Sequence, residues 1–276
     1  MTRLDIAYEE VEDLLDCEEL CHQMKQYRGL KIHQIDIYQS NDLIQNEPGC
    51  YITIEFESLN DHEARNDAAE VVCDALKQMM DQPFSKVLVV GLGNQNVTAD
   101  SLGPETAAKV LVSAHLEKKI RGSNPGVAVI APGVMGQTGL ETAKIVRSIC
   151  MSEHPDVVIA IDALATKSLH RINRVIQISD TGIHPGSGVK NKRLGLNEKT
   201  LGVKVISVGV ATVMSVEHLI QEKLQEMDCL DCLKRCNPEG LDMVVTPKEM
   251  DEVKLHLSEV LALGINRALY ENLDQL

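Results

Sequence analysis

The most informative part of this chain is the sequence Gly91-Leu92-Gly93-Asn94-Gln95-Asn96-Val97-Thr98-Ala99-Asp100-Ser101-Leu102-Gly103-Pro104. A continuous apolar run at residues 86–90 precedes it, and a helix-like pattern follows from Pro104. A strand, a glycine-rich turn and a helix in this order place polar groups at the carboxyl end of a parallel strand. The polar group that this turn delivers is the carboxylate of Asp100.

A second carboxylate has a similar position further along the chain. Asp162 directly follows the strand-like run at residues 156–161. The commonest role of a residue such as Asp100 is to cap a helix or close a turn. That role explains Asp162 less well, because burying a charge beside an apolar strand is costly without a partner. Two carboxylates on two strand ends can become neighbours, and neighbouring carboxylates can perform acid/base catalysis.

Strand-like and helix-like patterns alternate along most of the chain. Strands are predicted at residues 51–56, 86–90, 127–130, 157–161, 175–178 and 205–210. Helices are predicted at about residues 4–26, 62–80, 104–118, 138–151, 212–226 and 247–270. This alternation predicts an α/β fold with a mostly parallel sheet, helices on both faces and glycine-rich loops at the strand carboxyl ends. Residues 48–276 are expected to form this domain, after an acidic N-terminal region at residues 1–47.

Three glycine-rich loops are predicted to line one cleft. They lie at residues 91–103, 132–139 and 182–188, each after a predicted strand. In an open α/β sheet, ligands bind outside the carboxyl ends of the strands. Glycines there make tight turns or let another backbone approach closely. Tight turns would explain any single loop, whereas three loops at equivalent strand ends favour a binding cleft.

The composition limits the partners of the protein. A net charge of −14 over 276 residues disfavours nucleic acid and anionic membranes, which attract basic patches. The chain has no apolar run of about 18 residues, and its first residues lack the apolar core of a signal peptide. We therefore expect a cytoplasmic protein with no direct nucleic-acid partner and no membrane partner.

Common cofactor and nucleophile motifs are incomplete or absent. The Gly91-x-Gly93 start resembles a dinucleotide fingerprint, but Asn96 stands where the third glycine is expected. The sequence has no GxxxxGK[ST] phosphate loop and no nucleophilic serine in a strand–turn–helix setting. We therefore expect no cofactor.

The cysteines offer one weak metal signal. Cys229, Cys232 and Cys236 form a tight cluster that could supply three zinc ligands, with Cys17 or Cys21 as a remote fourth. The spacing differs from that of a standard zinc site. Free thiols in a reducing compartment are the favoured interpretation, and no metal site is predicted.

Several long motifs closely resemble the germination protease family, the spore proteases of spore-forming bacteria. The motifs lie at residues 89–104, 132–139, 159–165 and 177–188, and near the C-terminus at residues 245–251 and 264–269. They stand in the order that the family has, and the resemblance covers roughly residues 48–270.

The resemblance implies an endopeptidase that hydrolyses small acid-soluble spore proteins in the cytoplasm of the spore core during germination. It also implies a zymogen that loses a short propeptide from the start of the N-terminal region (residues 1–47) by self-cleavage, and a homotetramer. The two proposed catalytic aspartates of the family match Asp100 and Asp162.

Supporting or substrate-binding roles are expected for residues of the three loops around this pair. Asn96 and Thr98 would orient Asp100, whereas Asp180 and His184 would shape the cleft. The whole supporting set is Asn94, Asn96, Thr98, Gly133, Gly136, Asp180 and His184.

Two alternative functions remain open at the level of sequence. One is a metal-assisted, maturation-type peptidase in which Asp100, Asp162 and His184 hold a divalent cation. The other is a non-enzymatic, divergent binding protein with a degenerate cleft, although both aspartates stand in full motif context.

Overall fold

The computed structural model describes residues 5–14, 17–184, 194–229, 231 and 243–271. The second half of the third glycine-rich loop, Cys232 and Cys236 lie outside these residues. The strands are β1 (Leu20–Tyr27), β2 (Leu30–Ile37), β3 (Gly49–Glu55), β4 (Lys86–Gly91), β5 (Gly126–Ile130), β6 (Val157–Thr166), β7 (Val175–Ser179), β8 (Lys204–Ser215) and β9 (Val244–Val245). They form one sheet in the order β1-β2-β3-β7-β8-β6-β4-β5, and β9 pairs with β8.

The sheet has two halves of different strand direction. Strands β8, β6, β4 and β5 run parallel to one another, and we call them the parallel half. Strands β1, β2, β3 and β7 pair antiparallel, β7 pairs antiparallel with β8, and these four form the antiparallel half. The predicted α/β class is confirmed, and parallel pairing holds for the half that contains both aspartates.

Helices cover both faces of the sheet, as predicted. The helices are α1 (Ala7–Val11), α2 (His62–Met79), α3 (Leu102–Ala107), α4 (Lys118–Arg121), α5 (Met135–Thr138), α6 (Thr142–Glu153), α7 (Glu198–Leu201), α8 (Val216–Glu226) and α9 (Met250–Leu269). Helices α2, α3 and α9 pack on one face, where their apolar side chains bury Val89 and Ile159. Helix α6 and Ile6 pack on the other face against Val90 and Ala160. None of the described helices combines the length and hydropathy needed to cross a bilayer.

The predicted helix at residues 4–26 is wrong. The structure has only the short helix α1 there, followed by the edge strand β1. Arg28 and Gly29 connect β1 to β2 with φ angles of 47° and 84°. Two central residues of positive φ make the hairpin turn that matches strand twist, so the turn fixes an antiparallel pair. The predicted boundary at residues 47–48 falls between β2 and β3, which are hydrogen-bonded neighbours.

Two strands extend further toward the C-terminus than predicted, and the segments after them begin later. Strand β6 continues to Thr166 and β8 continues to Ser215, so helix α8 begins at Val216 rather than Thr212. The Ser215 side chain caps this helix by accepting the N–H of His218 at 3.1 Å. Because β4 ends level with Ile161, the last five residues of β6 extend beyond it.

Candidate active site

The backbone holds Asp100 close to the end of β4. Gly93 has a φ of +113°, and a Cβ atom at that position would lie 2.0 Å from the carbonyl oxygen of Asp100. Only glycine permits both the conformation and this approach. The N–H of Asn94 then donates to Oδ2 of Asp100 at 2.8 Å, which fixes the orientation of the carboxylate.

Two more glycines of the same motif let α3 pack directly on the strand ends. A Cβ atom at Gly103 would lie 2.2 Å from the carbonyl oxygen of Leu92 and 2.6 Å from that of Ile161. A Cβ atom at Gly91 would lie 2.3 Å from the carbonyl oxygen of Gly103. These glycines therefore serve close packing within the chain.

Asp162 lies inside β6, not at its end as predicted. The N–H of Leu92 donates to the carbonyl of Ile161 at 2.8 Å, and Asp162 is the next residue, beyond the end of β4. Its side chain is buried, with a residue exposure of 5%. Oδ1 of Asp162 accepts the N–H of Ala163 at 2.9 Å. Relative to β4, the carboxylate is still at the carboxyl end of the parallel half.

The segments that contain the two aspartates pack against each other. Asp100 ends a 3₁₀ turn, Thr98–Asp100, which contacts both β6 and β8. The hydroxyl of Thr212 in β8 donates to the carbonyl of Ala99 at 2.9 Å and ties the turn to the sheet. Asp100 and Asp162 thus border the same end of β4.

Asn94 and Asn96 form a hydrogen-bonded support for Asp100. The N–H of Asn96 donates to Oδ1 of Asn94 at 3.0 Å, while the Asn94 N–H donates to Asp100. Asn96 therefore acts on Asp100 through Asn94. The carbonyl of Thr98 accepts the N–H and hydroxyl of Ser101, and so shapes the turn that contains Asp100.

The loop after β5 is joined to the loop after β4 by Gln137. Its Nε2 donates to Oδ1 of Asn94 at 2.7 Å, and its Oε1 accepts the N–H of Val134 at 3.2 Å. A Cβ atom at Gly133, where φ is +74°, would lie 2.7 Å from Oε1 of Gln137, whereas Gly136 has open space around it. Gln137 is not among the residues predicted from the sequence, although its place in a glycine-rich motif is a usable signal.

Asp180 and His184 are positioned differently from the prediction. Because β7 is antiparallel to β8, the loop after it leaves the sheet in the direction opposite to the loops after β4 and β5. The expectation of three loops at equivalent strand ends is therefore wrong. Oδ1 of Asp180 accepts the N–H of Cys50 at 2.8 Å, and Nε2 of His184 lies 3.4 Å from Glu47.

A small cavity lies beside His184. Its volume is about 30 Å³, and its lining includes His184, Ser179, Leu164 and Gly209. Gly209 is level with Asp162 in the ladder between β6 and β8. His184 therefore borders a space on the same face of the sheet as Asp162, although it comes from the opposite direction.

Behind Asp100, an ion-pair network holds α3 against α9. Nζ of Lys254 donates to the hydroxyl of Ser101 at 3.1 Å and lies 3.1 Å from Oε2 of Glu105. Burial raises the pKa of Glu105, but the hydrogen bond of Lys254 and the charges of Lys109 and Lys254 outweigh it, so the net pKa is lowered. Glu105 is therefore ionised at neutral pH and fixes the helix that follows Asp100.

The three ligands of the metal-assisted alternative are not assembled. Within the described residues, no group of three or more His, Cys, Asp or Glu side chains could hold a metal ion. His184 is paired with Glu47 instead. Of the cysteines considered as possible zinc ligands, Cys17, Cys21 and Cys229 are described, and all three are free thiols.

Residues 5–14, which we call the N-terminal segment, reach the site from the antiparallel half. Gln177 of β7 holds the segment with both ends of its amide. Its Nε2 donates to the carbonyl of Asp5 at 2.8 Å, and its Oε1 accepts the N–H of Ala7 at 2.6 Å. Oδ2 of Asp5 then accepts the N–H of Ala165, three residues after Asp162, at 3.0 Å. Asp5 is not among the residues predicted from the sequence.

The fold and the site together define an α/β protein with two aspartates at the carboxyl end of a central parallel strand. The model of one family, described as germination protease, matches residues 4–228. Germination proteases of Oceanobacillus iheyensis, Clostridium acetobutylicum and Bacillus subtilis are 36%, 37% and 34% identical to this chain. The alignments cover 90%, 91% and 91% of this chain and 85%, 88% and 86% of those relatives.

The chain belongs to the germination protease family, and it is therefore a peptidase of spore germination. Among solved structures, the NiFe hydrogenase maturation protease HycI from Thermococcus kodakarensis KOD1 is 18% identical, with a TM-score of 0.33. That match covers 58% of this chain and 98% of the other.

Proposed function

We propose that the protein is an endopeptidase that hydrolyses small acid-soluble spore proteins during germination, with Asp100 and Asp162 as its catalytic pair. The observation that supports this best is their placement at one end of β4, where the turn of Asp100 packs against β6 and β8. Membership in the germination protease family supports the substrate class.

In the proposed mechanism, the two carboxyl groups share one proton. Adjacent carboxyls do not readily ionise together, so one is ionised and the other protonated. The ionised carboxylate takes a proton from a water molecule, which attacks the scissile carbonyl. The protonated group polarises that carbonyl and later protonates the leaving amine. Backbone N–H groups of the loops after β4 and β5 would stabilise the developing oxyanion.

The remaining properties that family membership suggests belong to the same proposal. The protein is made as a zymogen, loses a short propeptide, assembles as a homotetramer and works in the cytoplasm of the spore core. Its net charge of −14 disfavours contact with DNA, so it acts on the spore proteins themselves.

Replacing either aspartate tests the catalytic pair. We expect Asp100→Asn and Asp162→Asn each to lower kcat for a purified spore-protein substrate by at least about a thousandfold, because neither variant can share a proton. Cleavage is followed by gel electrophoresis and mass spectrometry of the fragments. Circular dichroism establishes that both variants remain folded.

Asp156→Asn is the matched control, since this carboxylate precedes the other end of β6. Its Oδ2 accepts the N–H groups of Ser85 and Lys86 at 2.7 and 2.8 Å, bonds that an asparagine oxygen can keep. The control should cleave normally, and wild-type activity should survive dialysis against a chelator. Near-normal cleavage by either catalytic variant would contradict the pair. A loss in chelator that added divalent cation restores would favour the metal-assisted alternative.

A further inference from the structure

Strand β8 contains one extra residue opposite the last part of β6. Leu164 of β6 pairs with Ala211, and the next residue, Ala165, pairs with Val213, so Thr212 is the extra residue. Such a β-bulge is rare between parallel strands. Bulges are common beside active sites, where they change the direction of side chains and end regular pairing. The bulge at Thr212 is therefore a place to look for a functional contact.

The backbone and the side chain of Thr212 both contact residues outside β6. On the other side of β8, β7 pairs with residues 207–210 and β9 pairs with residues 214–215, so Thr212 lies between the two. Its carbonyl accepts the hydroxyl of Thr246, the residue after β9, at 2.9 Å. Its side chain is fully buried, and its hydroxyl donates to the carbonyl of Ala99 at 2.9 Å. Thr212 thus connects Thr246 to the 3₁₀ turn.

These bonds fix the peptide group that precedes Asp100. The carbonyl of Ala99 and the N–H of Asp100 belong to one planar peptide group. Thr212 holds the carbonyl of this group, and the N–H donates to the carbonyl of Val97 at 2.9 Å. Because the group is held at both ends, the direction in which the Asp100 side chain leaves the turn is set. The position of its carboxylate relative to Asp162 therefore depends on the hydroxyl of Thr212.

We propose that Thr212 is a positioning residue for Asp100, and that Thr246 holds Thr212 in the orientation that this requires. This inference rests on the proposed function, because it concerns the geometry of the same aspartate pair. Catalytic groups must be held within about 0.5 Å of their productive arrangement, and a bond from a central strand of the sheet provides such precision. The C-terminal motif at residues 245–251 then contributes to the site through Thr246.

Thr212→Val tests the bond to Ala99, because valine has the shape of threonine but no hydroxyl to donate. We expect kcat for a purified spore-protein substrate to fall about ten- to hundredfold, while KM stays within about twofold, since a misplaced Asp100 slows the chemical step rather than binding. Circular dichroism and urea denaturation establish that the variant is folded under the assay conditions.

Thr212→Ser distinguishes positioning from packing. Serine keeps the hydroxyl and loses a buried methyl group, so kcat should stay within about threefold of the wild type although stability falls. If Thr212 served only to fill space, valine would be the milder replacement and serine the more harmful one. A lower kcat for Thr212→Ser than for Thr212→Val would therefore overturn the proposal.

Thr53→Val is the matched control. Thr53 is a fully buried strand residue like Thr212, but Oγ1 of Thr53 has no hydrogen-bond partner within the part of the chain that the structure describes. The same substitution there removes no bond and should leave kcat and KM unchanged. Equal kcat values in the two valine variants would overturn the positioning role and leave the peptidase proposal standing. If the wild-type enzyme cleaves no spore-protein substrate, the proposed function fails, and the role of Thr212 fails with it.

Thr246→Val tests the same series of bonds at an exposed position, where the fold tolerates the change. We expect kcat to fall about three- to tenfold, because the carbonyl of Thr212 loses the hydroxyl that holds it. In the Thr212→Val background the change should have little further effect, since no hydroxyl remains to be oriented. Additive losses would show that the two threonines act separately. Should Thr212→Val not fold, an unchanged kcat in Thr246→Val would overturn the proposal.

Discussion

The parallel and antiparallel halves of the sheet place their polar residues in different ways. In the parallel half, Asp100 lies in a glycine-tight turn after a strand, and Asp162 lies where its neighbour β4 has ended. In the antiparallel half, polar residues lie within the strands and are buried under the N-terminal segment. One row of paired residues crosses both halves at the same level: His33, Thr53, Gln177, Gly209 and Asp162.

This difference indicates that the two halves of the sheet have different structural roles. Strand ends leave backbone groups open to a substrate, whereas strand interiors provide a fixed platform. On that platform, Tyr8 of the N-terminal segment stacks on His33 at 4.1 Å. Among the described residues, Nε2 of His33 and Oγ1 of Thr53 are buried without a hydrogen-bond partner, and burial lowers the pKa of His33. The antiparallel half thus holds the segment that reaches across to β6.

The largest effect should come from disturbing the tight turn in the parallel half. Gly93→Ala introduces a Cβ atom at a position where φ is +113° and the carbonyl oxygen of Asp100 would be 2.0 Å away. We expect a loss of about 3 kcal/mol in the free energy of unfolding. Displacement of Asp100 should also lower kcat at least about a hundredfold. Urea denaturation and the cleavage assay measure the two effects.

Gly136→Ala is the control for this change. Gly136 lies in α5, and a Cβ atom added there would meet no heavy atom within 4 Å outside its own helix backbone and chain neighbours. Its unfolding free energy should stay within about 0.5 kcal/mol of the wild type. Equal losses in the two variants would show that glycine content, rather than the close approach at Gly93, matters for the loops.

The sequence predicted the parallel half better than the antiparallel half, for a local reason. Apolar runs followed by glycine motifs are short-range signals, and they located β4, β6 and the two aspartates. The direction of β7 depends on its pairing with β3 and β8, which no local pattern encodes, so Asp180 and His184 were assigned to the wrong strand end.

Long-range contacts of the N-terminal segment were also beyond prediction from sequence. Asp5 and Gln177 are 172 residues apart in the chain, and each is an ordinary polar residue in its local context. The length of β6 was underestimated because Ala163-Leu164-Ala165 is neutral between helix and strand, and pairing with β8 decides it.

Releasing the N-terminal segment from its platform should have the next largest effect. Gln177→Leu removes two hydrogen bonds. The carbonyl of Asp5 and the N–H of Ala7 then lose the side-chain amide as their hydrogen-bond partner. We expect local stability of the segment to fall by about 2 kcal/mol, or roughly thirtyfold in amide exchange protection. Hydrogen exchange with mass spectrometry of the peptide that contains residues 5–14 measures this loss.

Gln23→Leu provides the comparison within the antiparallel half, since Gln23 is exposed on the edge strand β1. It should leave exchange in the N-terminal segment unchanged. If Gln177→Leu also leaves exchange unchanged, then the platform does not hold the segment, and the contrast between the two halves loses its basis.

The smallest effect should be a pH-dependent loss of stability at Glu12. Its Oε2 lies 2.8 Å from Arg171, and its Oε1 lies 3.2 Å from Lys167. Burial raises the pKa of Glu12, but the bond and charge of Arg171, with help from Lys167, outweigh it and lower the pKa below its ordinary 4.5. An acid whose pKa is lower in the folded state stabilises the fold above its unfolded pKa, and this contribution disappears as pH falls.

Glu12→Gln should therefore destabilise the protein by about 1–2 kcal/mol at pH 7, and the difference from wild type should shrink as pH falls below about 4.5. Urea denaturation at several pH values measures it, with Glu18→Gln, at an exposed carboxylate in the next turn, as the control. A difference that is constant with pH would mean that Glu12 stabilises the segment by packing rather than by charge. In that case the ion pairs with Arg171 and Lys167 would not help hold the N-terminal segment next to β6.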